Sequence, residues 1–224
     1  MNAPRATLRS ATYQDVLDAP PHMVAEIVGG RLSLQPRPAP RHARAHSAML
    51  GRLAGPFDFG EGGPGGWWIL TEPELHLGPD VLVPDVAGWR RERMPALPET
   101  AWFDLAPDWA CEVLSPSTRR LDLGGKRDAY AREGVGHLWL VDPLARTLEA
   151  FELRGGAWTL LATRTGDDAV RLPPFEAVEW QLSALWADID HVLVHEAARG
   201  LTPAAVSDRV IAALELGHAG AVPV

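Results

Sequence analysis

The chain has 224 residues, 46% of them hydrophobic and 22% charged, which suits a globular protein with one generous domain and a small appendage. A net charge of −8 and a pI near 5.5 exclude a sequence-independent DNA coat, which would be strongly basic. They do not exclude a nuclease, because acidic metal ligands lower the formal charge until a cation binds. The single cysteine, Cys111, excludes an intrachain disulfide and points to a reducing cytoplasm. The first ten residues lack the apolar core of a signal peptide, and no run is long enough to cross a bilayer, so no membrane partner is expected.

Residues 1–11 carry no pattern and are expected to form a mobile tail. Thr12-Tyr13-Gln14-Asp15 reads as a capping box with Asp in place of Glu, opening a short helix that ends near Leu17 before Pro20-Pro21. Residues 24–28 and 31–34 flank Gly29-Gly30 and predict a β-hairpin with Glu26 in its first arm. After a proline-rich connector, residues 41–53 have apolar positions at helical spacing, with Gly55-Pro56 as the stop. The glycine-rich run 60–66 has neither Lys nor Ser/Thr and is no phosphate-binding P-loop.

Strands are predicted over 67–70, 74–77, 81–83 and 86–89, and an exposed irregular loop over 90–106. Residues 109–114 are apolar except for Glu112, as in a strand buried on both faces. A helix follows over 123–132, with Asp122 as its N-cap, then a buried strand over 137–141. A hairpin over 147–153 and 158–164, a short strand near Val170 and a closing helix over 183–189 complete a domain spanning 12–190. Thr202-Pro203 opens a further helix in a C-terminal appendage, 191–224. The strand–helix–strand order between Trp109 and Val141 implies one crossover unit. The expected class is α/β or α+β, with a mixed central sheet and flanking helices.

Asp85 and Glu112 stand out because each places a carboxylate where an apolar residue would pack better. Two buried carboxylates side by side repel, and a divalent cation relieves that. Asp85, Glu112 and the carbonyl of Val113 are the candidate metal ligands. Hard oxygen donors in that number suit Mg²⁺ (or Mn²⁺), which keeps several waters. Lys126 is the only lysine in the chain and is the candidate to orient water and offset transition-state charge. Tyr130 lies four residues on, hence on the same helical face. The chemistry expected of this set is metal-dependent phosphodiester hydrolysis, with DNA as substrate and a homodimer as a plausible assembly.

Pro84-Asp85, the run from Glu112 through Thr118, Lys126 with Tyr130, and Leu138-Trp139-Leu140-Val141-Asp142-Pro143 together resemble the PD-(D/E)XK nuclease superfamily. More narrowly they resemble its bacterial Uma-type restriction endonuclease branch, over residues 12–187. The resemblance implies a restriction-endonuclease-like fold. It also implies roles for Glu26, in Glu26-Ile27-Val28-Gly29-Gly30, and for a helical histidine, His46. In the superfamily the lysine stands two residues after the glutamate; here that position is Leu114, and the resemblance assigns its role to Lys126.

Bland alternatives stand beside these readings. Asp85 could be a turn aspartate, Glu112 the ion-pair partner of Arg119, Lys126 a solvated helix residue and Glu26 an edge-strand surface group. His42 and His46 have i, i+4 spacing that can hold zinc, but no third ligand follows. Trp67, Trp68 and Trp102 are possible cleft-lining residues among otherwise core tryptophans. On the same scaffold, the alternative function is a catalytically inactive interaction or nucleic-acid-binding protein.

Overall fold

Short β-runs separated by glycine turns pair into two main sheets. The first is antiparallel, in the order β2 (Arg31–Pro36), β1 (Met23–Val28), β5 (Asp80–Leu82), β4 (Leu75–Leu77). Its β1–β2 hairpin turns on Gly29 and Gly30, at φ 58° and 75°, the left-handed pair that a two-residue turn requires. The second runs β10 (Ala157–Thr165), β9 (Thr147–Arg154), β8 (His137–Asp142), β7 (Trp109–Val113), β6 (Val86–Arg90), β3 (Trp67–Thr71). Within this sheet only β7 and β8 pair in parallel, through the expected crossover. A small third sheet joins β11 (Ala169–Val170) to β12 (Trp180–Gln181). The structure, a computed structural model, describes residues 9–187. The appendage expected over 191–224, the end of the helix expected over 183–189 and most of the tail expected over 1–11 lie outside the described residues.

The six-stranded sheet is the mixed central sheet expected from sequence, and the β1–β2 hairpin pairs into a separate one. Pro84 has no N–H to give a ladder, and residues 83–85 step from β5 in one sheet to β6 in the other. Asp85 therefore sits in this connection and not on a central strand. It is still held, because its carbonyl accepts a hydrogen bond from the Glu72 N–H at 3.0 Å.

Period-two alternation gives the larger sheet a core on each face. On one, Trp67, Trp109 and Trp139 pack edge-on or tilted around Phe175, with ring centroids 4.9–5.6 Å from its ring. On the other, Ala87, Trp89, Ala110, Leu138 and Leu140 meet Tyr130 from the crossover helix. Glu112 follows Ala110 by two and lies on this second face. The β6–β7 register pairs Val86 with Cys111, so continuing it by one residue sets Asp85 across from Glu112.

Helix α1 (Tyr13–Leu17) starts with the expected capping box between Thr12 and Asp15. Helix α2 (Pro40–Leu53) buries Ala45, Met49 and Leu53. It does not stop at Gly55-Pro56 but widens into a π-helical turn, Ala54–Phe59, closed by Gly60 at φ 74°. The crossover helix also starts earlier than expected. It runs as α3 (Arg119–Leu121), a π-helical segment Asp122–Lys126 and α4 (Arg127–Arg132), with Thr118 at the N-cap position. Asp122 is therefore not a cap; it is buried inside the helix. Where the closing helix is expected, the described residues form a single 3₁₀ turn, Leu182–Leu185.

Candidate active site

Strand β1, the 83–85 connection, the end of β7 and the π-helical segment converge on one cavity of about 250 Å³. Asp85, Glu112 and Lys126 all line it, and so does Glu26. Alternation along β1 points Glu26 the same way as Val28, which joins the core beneath.

Lys126 is the centre of the arrangement. Its side chain is 3% exposed, and its ammonium lies 2.8 Å from Glu112 Oε1 and 3.0 Å from Glu26 Oε1. It also donates to the Val83 carbonyl at 3.0 Å, so two carboxylates and a carbonyl surround the ammonium. Asp122 Oδ1 stands 3.9 Å away. The widened turn carries Asp122, Lys126 and, four residues on, Tyr130 toward the sheet on one side. The Tyr130 hydroxyl donates to Glu112 Oε1 at 2.6 Å. Glu26 is fixed by the Val83 N–H at 2.7 Å and by the Gln35 side-chain amide at 2.6 Å. Arg119 does not partner Glu112; it pairs with Asp142.

Asp85 has its own supports. The Val113 N–H donates to Asp85 Oδ2 at 2.6 Å, and His42 Nε2 lies 3.1 Å from Oδ1. A residue's N–H and C=O point the same way in a strand, so the Val113 carbonyl faces this side too. His42, on α2, lines the cavity; His46, one turn later, does not. Trp67, Trp68 and Trp102 are not among the lining residues either. Trp102 stacks on His76 at 4.8 Å, and Trp68 donates its indole N–H to the Met94 carbonyl. His42, Gln35 and Asp122 enter the constellation without having been picked out as site residues. A usable signal existed only for His42, which stands three residues before the buried Ala45 on the inward face of α2.

The electrostatics follow from burial. Burial pushes the Glu112 carboxyl well above its ordinary range; Lys126 opposes this, while Asp122, Asp85 and Glu26 add to it. Burial works against the Lys126 ammonium, but Glu112, Glu26 and Asp122 outweigh it and hold its pKa above the usual lysine value. His42 is raised: burial lowers it, and the hydrogen bond and charge of Asp85 more than compensate. Burial pushes Asp122 up to about 6, against the pull of Lys126 and a hydrogen bond from Thr118.

The raised Asp122 value has a testable sign. A carboxyl that binds its proton more tightly when folded penalises the fold above its folded pKa, and the penalty vanishes below the unfolded value near 3.9. Asp122→Asn should therefore stabilise the metal-free protein at pH 8, by on the order of 1–3 kcal/mol, and the gain should fade by pH 4. Urea titrations of both proteins across that range measure it; a gain of equal size at both ends would contradict the assignment.

Comparisons with known proteins place the fold and the family. A crystal structure from Anabaena variabilis ATCC 29413, titled "a putative nuclease belonging to DUF820", superposes with a TM-score of 0.64 at 20% identity. The match covers 79% of this chain and 98% of that one, and shows a shared fold. The family described as "Uma2: Putative restriction endonuclease" matches residues 11–185, which hold every cavity-lining side chain named above. The chain therefore belongs to the Uma2 family.

Proposed function

We propose that the protein is a metal-dependent endonuclease that hydrolyses DNA phosphodiester bonds, working in a reducing cytoplasm. The observation that carries the reading is the buried Lys126 ammonium, clamped between Glu26 and Glu112 on the wall of the cavity that Asp85 also lines. A fully desolvated charge network beside a cavity is costly as mere structure, and marks a functional site.

The donor set fits Mg²⁺ (or Mn²⁺). Five carboxylates line the cavity, Glu26, Glu72, Asp85, Glu112 and Asp122, against one lysine and one arginine. Among the described residues no three His, Cys, Asp or Glu side chains form a ready-made ion cage. A hard cation would be held here by two carboxylates, Asp85 and Glu112, with the Val113 carbonyl as a further oxygen donor. Such an ion supplies charge on the phosphoryl oxygens and acidifies a bound water.

The remaining work belongs to the chain itself. Lys126 sets a fixed positive charge where negative charge builds up on the phosphoryl group. Glu26 and the Val83 carbonyl hold that ammonium in place. Tyr130 orients Glu112, while His42 and the Val113 N–H orient Asp85. A two-fold dimer would place two such cavities on a duplex for paired cuts.

With Mg²⁺ present, plasmid DNA should be nicked or linearised by the wild type. Asp85→Asn should abolish this while leaving the fold intact by circular dichroism; undiminished metal-dependent cleavage by the variant would overturn the reading. One observation favours a second reading, a catalytically silent scaffold: the Lys126 ammonium is held by Glu26, Glu112 and the Val83 carbonyl of the protein itself. Calorimetric titration with Mn²⁺ separates the two, since a scaffold takes up no ion with or without DNA.

A further inference from the structure

Of the chain's 29 acidic residues, none falls between Glu26 and Asp58, although that stretch carries five arginines. In a protein of net charge −8, this is a locally basic segment of 31 residues. It holds all of α2, whose first turn enters the cavity wall through Ala39 and His42.

Most other arginines are engaged. Arg9, Arg91, Arg93, Arg119, Arg132, Arg154 and Arg171 have carboxylate partners, and Arg90 and Arg127 lie over aromatic rings. Arg41, Arg44 and Arg52 have no ion pair or hydrogen bond among the described residues. At 3.6 residues per turn, positions 41, 44, 48 and 52 form one row along α2, beside the buried row of Ala45, Met49 and Leu53. Arg44 and Arg52 are exposed. Between them lies a second concavity of about 310 Å³, lined also by Ser47, Ala48, Gly51 and Ala184. At the cavity end, Arg37 is exposed and, among the described residues, has no ion pair or hydrogen bond either.

We propose that the Arg41–Arg44–Arg52 row of α2 is the track along which one phosphate backbone of duplex DNA lies as it leaves the cavity. This rests on the nuclease reading and adds the surface that holds the substrate. The row rises about 16 Å along a rigid helix, the axial length of roughly five phosphates of one duplex strand. Unpaired guanidiniums suit bidentate contact with phosphate. The row carries no Trp, Tyr or Phe on which splayed bases could stack, which disfavours a single-stranded ligand. Alanine at position 48, glycine at 51 and the Ser47 hydroxyl leave room and a donor for the backbone between the guanidiniums.

The test is fluorescence anisotropy of a labelled 20-base-pair DNA duplex with the full chain, in EDTA, between 50 and 200 mM NaCl. Because it reads binding without cleavage, it is independent of whether the cavity is an active nuclease; the Asp85→Asn assay tests that separately. The R41A/R44A/R52A variant should bind at least tenfold more weakly at 50 mM salt. Its log–log salt slope should be shallower by about three, roughly one per lost phosphate contact. Replacing the same three residues with lysine should keep the slope. Unchanged affinity and slope in the alanine variant would overturn the track, and so would a wild type that binds duplex RNA or anionic vesicles but no duplex DNA. An unchanged melting temperature for the alanine variant confirms that the fold is intact.

Discussion

Lys126→Met should be among the most destabilising single substitutions in the protein. It removes the one cation that, among the described residues, pairs with both Glu26 and Glu112, which are 1% and 2% exposed. Deleting one partner of a buried ion pair costs about 3–5 kcal/mol, because the other charge stays desolvated and unpaired. Against a total stability of roughly 5–15 kcal/mol, that is a large share. The loss should depend on pH in a definite direction. Without the ammonium, the buried Glu112 carboxyl binds its proton still more tightly in the folded state than in the unfolded one. The penalty is then smallest in acid, where Glu112 is neutral, and grows as pH rises through its raised folded value. Urea titrations at pH 5 and pH 8 should show the variant closest to wild type at pH 5.

The same substitution separates stability from chemistry. Lys126→Met combined with Glu112→Gln removes a charge of each sign and should recover much of the lost stability. It should recover none of the cleavage, since a metal-ligand candidate and the fixed positive charge are both gone. Lys126→Arg should not rescue cleavage either. A planar fork cannot reproduce the three-way grip on Glu112, Glu26 and the Val83 carbonyl in the same volume. A Lys126→Met variant as stable as wild type at pH 8 would show that the network carries no net charge compensation.

Much of this site was legible before any coordinates, and the reasons are specific. Glu112 interrupts an apolar strand, so alternation alone fixes its face and predicts its burial. Lys126 is conspicuous as the lone lysine, and its four-residue spacing from Tyr130 sets both on one helical face. What escaped depends on the phase of one element against another. Asp122 is a good cap by residue type and predicts the helix start there, but Ser115 and Thr118 settle the turn upstream through reciprocal side-chain and backbone hydrogen bonds. That moves Asp122 into the helix and turns it inward. The two α2 histidines look equivalent in sequence; only the docking angle of the helix brings His42, and not His46, to Asp85. The division into two sheets turns on an unpaired step at Pro84, which local propensity does not distinguish from a bulge within one sheet.

The approach of the crossover helix to β1 is the other feature on which the site depends, and Gly125 sets it. A Cβ at position 125 would lie 2.7 Å from Val28 Cγ1, whereas one at position 124 meets nothing within 4 Å. By helix propensity alone, alanine at either position would stabilise by up to about 1 kcal/mol. The two substitutions should nevertheless have opposite effects. Gly124→Ala should raise stability slightly. Gly125→Ala must drive the helix off β1 or force Val28, a stiff β-branched side chain in the core, to move; such overpacking costs about 1–3 kcal/mol. Because Lys126 is the next residue and Glu26 lies on the same strand as Val28, the shift opens the Lys126–Glu26 contact. Misplacement by about 1 Å can cost 100-fold in rate, so cleavage should fall further than stability. Val28→Ala makes room for the added methyl: alone it leaves a small cavity and destabilises, but with Gly125→Ala it should restore both stability and cleavage in part. The double-mutant cycle then shows a coupling well outside the additivity expected of independent sites. Strict additivity would mean that the helix is positioned by something other than this contact.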